Sequence, residues 1–348
     1  MNVIRVVIVD DSAVVRRLFK KAMAFAPDVS VVAEAPDPYV ARDLIVELKP
    51  DVLLLDVEMP RMDGITFLQR LNQHYPLPVV VCSSLTEAGG KLTLDAFAAG
   101  AVEVICKPQG PRALSELGAE LVAAVRTAAG ARASRPRLPR VPVKLHQRNE
   151  VEVIGIGAST GGTVAVESIL TRLPANMPPI LVVQHMPAYV TKAFAARLDG
   201  LCELTVEEAR HGRVLEPGLV LVAPGDQHLA LERVGSKLRV RLGAEERVNG
   251  HRPAVDVLFH SIADVVGPRA VGAILTGMGK DGALGLLEMN REGAFTLAQD
   301  GASSVVFGMP KAAIDCGAAS AVAALDDIPA RLVRAIELRN SRAVSRVS

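Results

Sequence analysis

Short apolar runs and amphipathic segments alternate along most of the chain. The first run, VIRVVIV (3–9), is β-branched and shows no polar alternation, which suits a strand buried on both faces. Ser12 then stands where an N-cap would open a helix carrying Val14, Val15, Leu18, Phe19 and Met23. VSVVAEA (29–35) predicts a second strand and 38–48 a second helix. DVLLLDV (51–57) predicts the third and most apolar strand, followed by the turn MPRMDGI (59–65) and a helix to about His74. PVVVC (78–82) and VEVIC (102–106) predict the fourth and fifth strands, with 92–99 helical between them and 111–128 as a closing helix. Five strand–helix units over residues 1–129 predict a doubly wound parallel sheet.

Residues 130–150 break this rhythm. Six basic side chains (Arg132, Arg135, Arg137, Arg140, Lys144, Arg148) and three prolines, with no acid before Glu150, read as a solvated, partly extended linker. The rhythm resumes with strands at 151–157 and 178–185 and helices at 163–173 and 191–198. A β-rich stretch spans 203–242 (LTVEEA, GLVLVA, KLRVRL), then come a helix at 255–265, a third long buried strand at 270–277 and a helix at 282–291. The pattern predicts a second α/β domain over 151–340 and a disordered tail at 341–348.

Composition narrows the function classes. The chain has 348 residues, half of them apolar, so a full core can be built. Lys and Arg number 39 against 38 Asp and Glu, which gives no basic excess for nucleic acid. No apolar run is long enough for a membrane span, and the N-terminus reads as a strand rather than a signal peptide. The four cysteines (Cys82, Cys106, Cys202, Cys316) fit neither a zinc site nor a disulfide framework, and Cys82 and Cys106 are expected as buried thiols. A reducing, cytoplasmic setting is the expectation.

Three aspartates fall at neighbouring strand ends of the first domain: Asp10 and Asp11 after strand one, Asp56 at the end of strand three. Carboxylates gathered in that crevice repel one another unless a cation joins them, and hard oxygen ligands suit Mg²⁺. Ser83 or Ser84 ends strand four and Lys107 ends strand five. A hydroxyl, a lysine and a metal around one aspartate would stabilise an acyl phosphate. The stretches VDDS (9–12), LLLDVEMPRMDG (53–64), SSLT (83–86) and KP (107–108) resemble a response-regulator receiver domain. That resemblance implies that Asp56 accepts a phosphoryl group from a histidine kinase, that Asp10, Asp11 and Asp56 hold Mg²⁺, and that Ser83 and Lys107 contact the phosphate.

In the second domain, GIGASTGG (155–162) joins a strand to a helix. A dinucleotide loop is one reading, but Thr160 stands where G-x-G-x-x-G needs its third glycine, and the next strand ends in Gln184-His185 rather than an acid. The other reading makes Ser159 a nucleophile on a strand-to-helix turn, with helix N-terminal N–H groups ready for an oxyanion. His185 closes the next strand and would serve as its general base. Asp281, in the Gly-rich turn of ILTGMGKDGALG (274–285), would fix the imidazole tautomer. A serine at such a turn also serves as a plain N-cap, and an aspartate before GALGLLE does the same.

The stretches IGIGASTGG, VVQHMP (182–187), APGDQHL (223–229), RPAVDVLF (252–259) and LTGMGKDGA (275–283) resemble the chemotaxis protein-glutamate methylesterases. The resemblance implies a Rossmann-like second domain behind the receiver, so two doubly wound parallel-sheet domains in all. It implies hydrolysis of glutamyl methyl esters and deamidation of glutamines on methyl-accepting chemotaxis receptors. It also implies a Ser159–His185–Asp281 triad, with Thr160 and Met278 beside the oxyanion and no cofactor for the hydrolysis itself. An inhibitory receiver, relieved when Asp56 is phosphorylated, is the regulation it favours. Receivers also drive DNA-binding outputs, but the second half offers no helix-turn-helix pattern, and a nonenzymatic phosphate sink stands as the remaining alternative.

Overall fold

The computed structural model describes residues 3–83, 87–107, 114–131, 143–145 and 150–347. Two compact units divide the chain, Met1–Pro136 and Arg137–Ser348.

In the first unit, strands β1 (Ile4–Val9), β2 (Val29–Ala35), β3 (Val52–Asp56), β4 (Val79–Ser83) and β5 (Glu103–Cys106) alternate with helices α1 (Ala13–Met23), α2 (Pro38–Leu48), α3 (Gly64–His74), α4 (Glu87–Ala99) and α5 (Leu114–Ala129). The sheet is parallel, in the order β2-β1-β3-β4-β5. All five residues of β3 are buried, which is why its sequence does not alternate. Each leucine of that run contributes roughly 1.5–3 kcal/mol by leaving water. Ser12 caps α1 by accepting the Val15 N–H, and Asp37 caps α2 by accepting those of Tyr39 and Val40. Cys82 is buried and Cys106 half-buried, and none of the four cysteines is in a disulfide.

The second unit contains β6 (Val153–Ala158), α6 (Gly162–Leu170), β7 (Ile180–Gln184), α7 (Ala188–Asp199), β8 (Thr205–Glu208), β9 (Leu219–Val222), β10 (His228–Val234), β11 (Lys237–Gly243) and α8 (Val255–Val266). It continues with β12 (Ala270–Ile274), α9 (Ala283–Arg291), β13 (Phe295–Gln299), α10 (Met309–Asp315), β14 (Ala321–Ala323) and α11 (Ile328–Val347). Seven strands form one parallel sheet, β14-β13-β12-β6-β7-β9-β8. The chain therefore reverses its direction of winding at β6, whose two neighbours, β7 and β12, come from distant parts of the sequence. Such a switch point is where open α/β sheets bind ligands. Strands β10 and β11 stand apart as an antiparallel hairpin.

Two expectations change. The linker is not solvated throughout: Val143 N–H donates to the Arg172 carbonyl, and Leu145 is buried with its carbonyl accepting the Asn176 side chain. An apolar side chain next to a basic one can dock while the lysine stays in water. The tail expected to be disordered from 341 continues α11 to Val347, and no Gly or Pro interrupts the helix after Pro329.

Candidate active site

Strands β12, β6 and β7 lie side by side, with Gly157 opposite Ile274 and Ala158 opposite Gln184. Their C-terminal ends therefore present Ser159, His185 and the loop to Asp281 at one sheet edge. The Ser159 backbone is fixed from three sides. Its N–H donates to the Thr276 carbonyl (3.0 Å), and its carbonyl accepts the Gly162 N–H (2.7 Å) and Gln184 Nε2 (2.8 Å). Gly161, at φ +76°, bends the chain from β6 into α6. A Cβ at Gly277 would fall 2.7 Å from the Ser159 Cβ, so only glycine lets the loop after β12 lie against that serine.

His185 Nε2 meets Asp281 Oδ2 at 2.8 Å. With the carboxylate on Nε2, the neutral ring carries its proton there and leaves a lone pair on Nδ1. That Nδ1 is buried and has no hydrogen-bond partner among the described residues. Burial alone would raise the Asp281 pKa. Hydrogen bonds from His185, Asn249 Nδ2 and the Val255 N–H outweigh burial and hold the carboxyl below its ordinary value. The His251 ring stacks on His185 with centroids 3.8 Å apart and planes 9° from parallel. Burial, with the charge His185 can carry, pushes His251 down to about 4, so this neighbour is neutral at ordinary pH. Thr160 is buried and Met278 exposed, on the two loops that meet at Ser159.

In the first unit, Asp10, Asp11 and Asp56 converge, with carboxylate oxygens within 4.8 Å of one another. Lys107 Nζ bridges Asp10 Oδ2 (2.8 Å) and Asp56 Oδ2 (2.7 Å). Burial, aided by the nearby Asp10 charge, raises the Asp56 pKa against the pull of Lys107. Burial disfavours charge on Lys107 too, but its bonds to Asp10 and Asp56 win and raise its pKa. Three carboxylates against one ammonium leave a negative excess of hard oxygens, which fits Mg²⁺. Ser83 ends β4 and is buried, and its carbonyl accepts the Lys107 N–H at 2.8 Å. Ser84, the alternative register, lies outside the described residues.

Neither spacing nor periodicity singles out His251, Asn249 or Asp256, all of which surround the His185–Asp281 pair. One signal was present: Asn-Gly at 249–250 is a strong two-residue turn dipeptide, placed just before the RPAVDVLF stretch.

The fold and its two strand-end clusters define an α/β signalling protein, a receiver followed by a second parallel-sheet domain. The CheB methylesterase family pattern matches residues 154–332, and the response regulator receiver domain pattern matches 6–117. The chain belongs to the CheB methylesterase family. It is 49% identical to the protein-glutamate methylesterase/protein-glutamine glutaminase 2 of Syntrophus aciditrophicus, over 97% of this chain and 100% of that one. It is 50% identical to the protein-glutamate methylesterase/protein-glutamine glutaminase of Bordetella bronchiseptica, over 98% and 100%. The crystal structure of the Thermotoga maritima CheB methylesterase catalytic domain matches with a TM-score of 0.52 and 42% identity, over 53% of this chain and 97% of that one. Among the described residues no helix is long and apolar enough to cross a membrane.

Proposed function

We propose that this chain is a phosphorylation-regulated serine hydrolase that demethylates glutamyl methyl esters and deamidates glutamines on methyl-accepting chemotaxis receptors. The observation that carries this reading is the His185 ring, clamped at Nε2 by buried Asp281 and left with an unpartnered Nδ1 at the strand end beside Ser159. Ser159 Oγ attacks the γ-carbonyl while His185 Nδ1 takes its proton, and Asp281 stabilises the imidazolium. Backbone N–H groups near Thr160 and Met278 receive the oxyanion. The tetrahedral intermediate collapses, His185 returns the proton, and methanol leaves an ester or ammonia an amide. Water then hydrolyses the acyl-enzyme by the same proton path. The chemistry needs no metal.

In the receiver, Asp56 is the phosphoacceptor and a chemotaxis histidine kinase the donor. Asp10, Asp11 and Asp56 would hold Mg²⁺, which neutralises charge on the transferring phosphoryl group when bound. Lys107 and Ser83 would contact the phosphate. The unphosphorylated receiver keeps the hydrolase slow, and the phosphoryl charge on Asp56 releases it. A cytoplasmic location follows from these partners.

The test is methanol release from methylated receptor cytoplasmic domains, together with fluorophosphonate labelling of the full chain. Methanol release and an adduct mapped to Ser159 are expected. No release, or an adduct elsewhere, overturns the reading.

A further inference from the structure

A single turn reaches the hydrolytic site with two side chains. Val248 and His251 exchange backbone hydrogen bonds, at 3.1 and 2.9 Å. Asn249 (φ +53°) and Gly250 (φ +83°) thus form a two-residue turn with both residues left-handed, the geometry that favours Asn-Gly. From this turn His251 lays its ring on His185. Asn249 is exposed at the rim, yet its amide nitrogen points inward. Nδ2 lies 2.8 Å from Asp281 Oδ1 and 2.7 Å from Asp256 Oδ2.

An amide nitrogen has two hydrogens, and this one uses both on carboxylates. Asp281 and Asp256 are 1% and 4% exposed, so neither can turn to water for that donor. Their remaining oxygens are committed as well. Asp256 Oδ1 accepts the Gly285 N–H at 2.7 Å, and Asp281 Oδ2 accepts His185 Nε2 and the Val255 N–H. Asp281 Oδ1 also accepts the Asp256 N–H, at a longer 3.3 Å, so Asn249 supplies the shorter of its two donors and the only side-chain one among the described residues, and pins Oδ1 away from the imidazole. It also separates two buried like charges by a pair of donors. The other charged or titratable groups around the pair are His185 after β7, His251 and Arg247 on the turn, and His260 on α8.

We infer that Asn249 is a positioning residue of the hydrolytic site, whose amide bridges Asp281 to Asp256 and thereby fixes the Asp281 carboxylate against His185. The inference rests on the Ser159–His185–Asp281 reading above. Only asparagine meets both demands: it tolerates a positive φ and supplies two donors. Glycine meets the first alone. Aspartate also tolerates the turn but would set a third carboxylate against two buried ones.

The test uses the full chain, a peptide glutamyl γ-methyl ester as substrate and a fluorophosphonate as probe. Asn249→Gly keeps the turn and removes the amide. Its kcat and labelling rate should fall about tenfold to a hundredfold with KM unchanged, the scale of a lost hydrogen bond to a charged group. Asn249→Asp should fall further. On an Asp281→Asn background, Asn249→Gly should change the labelling rate no more, because the two act as one unit. A wild-type rate in Asn249→Gly, a loss confined to KM, an Asn249→Asp enzyme as fast as wild type, or the full loss persisting on the Asp281→Asn background each overturns the inference. Ser159→Ala, run in parallel, separates the two levels. If Ser159→Ala is inert while Asn249→Gly matches wild type, only the role of Asn249 fails. If Ser159→Ala labels like wild type, the hydrolase reading fails with it.

Discussion

Asp56 and Asp281 invite direct comparison. Each follows or ends a buried strand at a switch point of a parallel sheet, and they are 2% and 1% exposed. Their acidities nevertheless move in opposite directions. Asp281 is met by four N–H donors, from His185, Val255, Asn249 and Asp256, and its pKa falls. Asp56 has Lys107, a long 3.3 Å contact from the Glu58 N–H and the Asp10 charge beside it, and its pKa rises. Burial is the largest influence on both, so the number of donors decides the sign. The difference suits the two proposed tasks. A carboxylate that must stay charged through a turnover is saturated with donors, whereas one that must accept a phosphoryl group is left dependent on cations.

The comparison breaks most decisively at the serine. Ser159→Ala should cut methanol release by about a millionfold in kcat, the scale seen when a triad nucleophile is removed. Phosphorylation of Asp56 by acetyl phosphate should proceed at the wild-type rate in the same variant, so one preparation reads both sites. Substantial methanol release would remove Ser159 from the chemistry. The regulation proposed above gives the next largest effect. A fragment covering 137–348 should exceed the unphosphorylated full chain in methanol release by ~5–150-fold. Beginning at 137 keeps the docked Val143–Leu145 segment, which a start at 151 would remove. Equal rates would show that the receiver activates by some other route than restraint.

The dependence of Asp56 on cations can be tested more gently. Asp11→Ala should slow phosphorylation at limiting Mg²⁺ by at least about tenfold while basal methanol release survives. Equal phosphorylation rates would show that Asp11 is not a ligand. The smallest effect is on stability. Because the Asp56 pKa is raised in the folded state, its charge costs stability once the pH passes its ordinary, unfolded value. Asp56→Asn should therefore raise the receiver's unfolding temperature by a few degrees at pH 7, with the gain shrinking as the pH falls toward that value. Asp281 has the opposite sign. Its stabilising contribution is present above its ordinary pKa and is lost as the pH falls through the depressed one. Calorimetry of the full chain from pH 7 down to below the ordinary aspartate value checks both slopes, and a lower unfolding temperature for Asp56→Asn at pH 7 would contradict the first.

Legibility in the sequence tracked how each residue reaches its place. Asp10, His185 and the Asp281 loop follow apolar strands and Asp56 ends one, and the strand pattern alone brings these ends to one edge of each unit's own sheet. The receiver's strands were legible almost to the residue because both faces of its sheet are covered. Asn249 and His251 were not, because they arrive from the segment between β11 and α8, which has no apolar period. Only the fold brings that segment over the sheet edge. Strand β10 carries no alternating pattern within its β-rich region, because its buried Leu229, Ala230 and Leu231 give way through half-buried Glu232 to exposed Arg233 and Val234. Val143–Leu145 read as linker because one buried leucine among basic residues leaves no periodic trace.

The seven-stranded sheet also sets an order in time. Strand β6 gains β7 as soon as the next strand has been made, so Ser159 and His185 can meet early as the chain grows. Asp281 lies 96 positions beyond His185 and comes to the edge only when β12 inserts on the other side of β6. Closing that long-range pairing carries a loop-entropy cost that local pairings do not. A nascent or half-folded chain therefore holds the serine and the imidazole without the carboxylate that orients them. On the proposed triad, the full Ser159–His185–Asp281 set is complete only once β12 has joined β6.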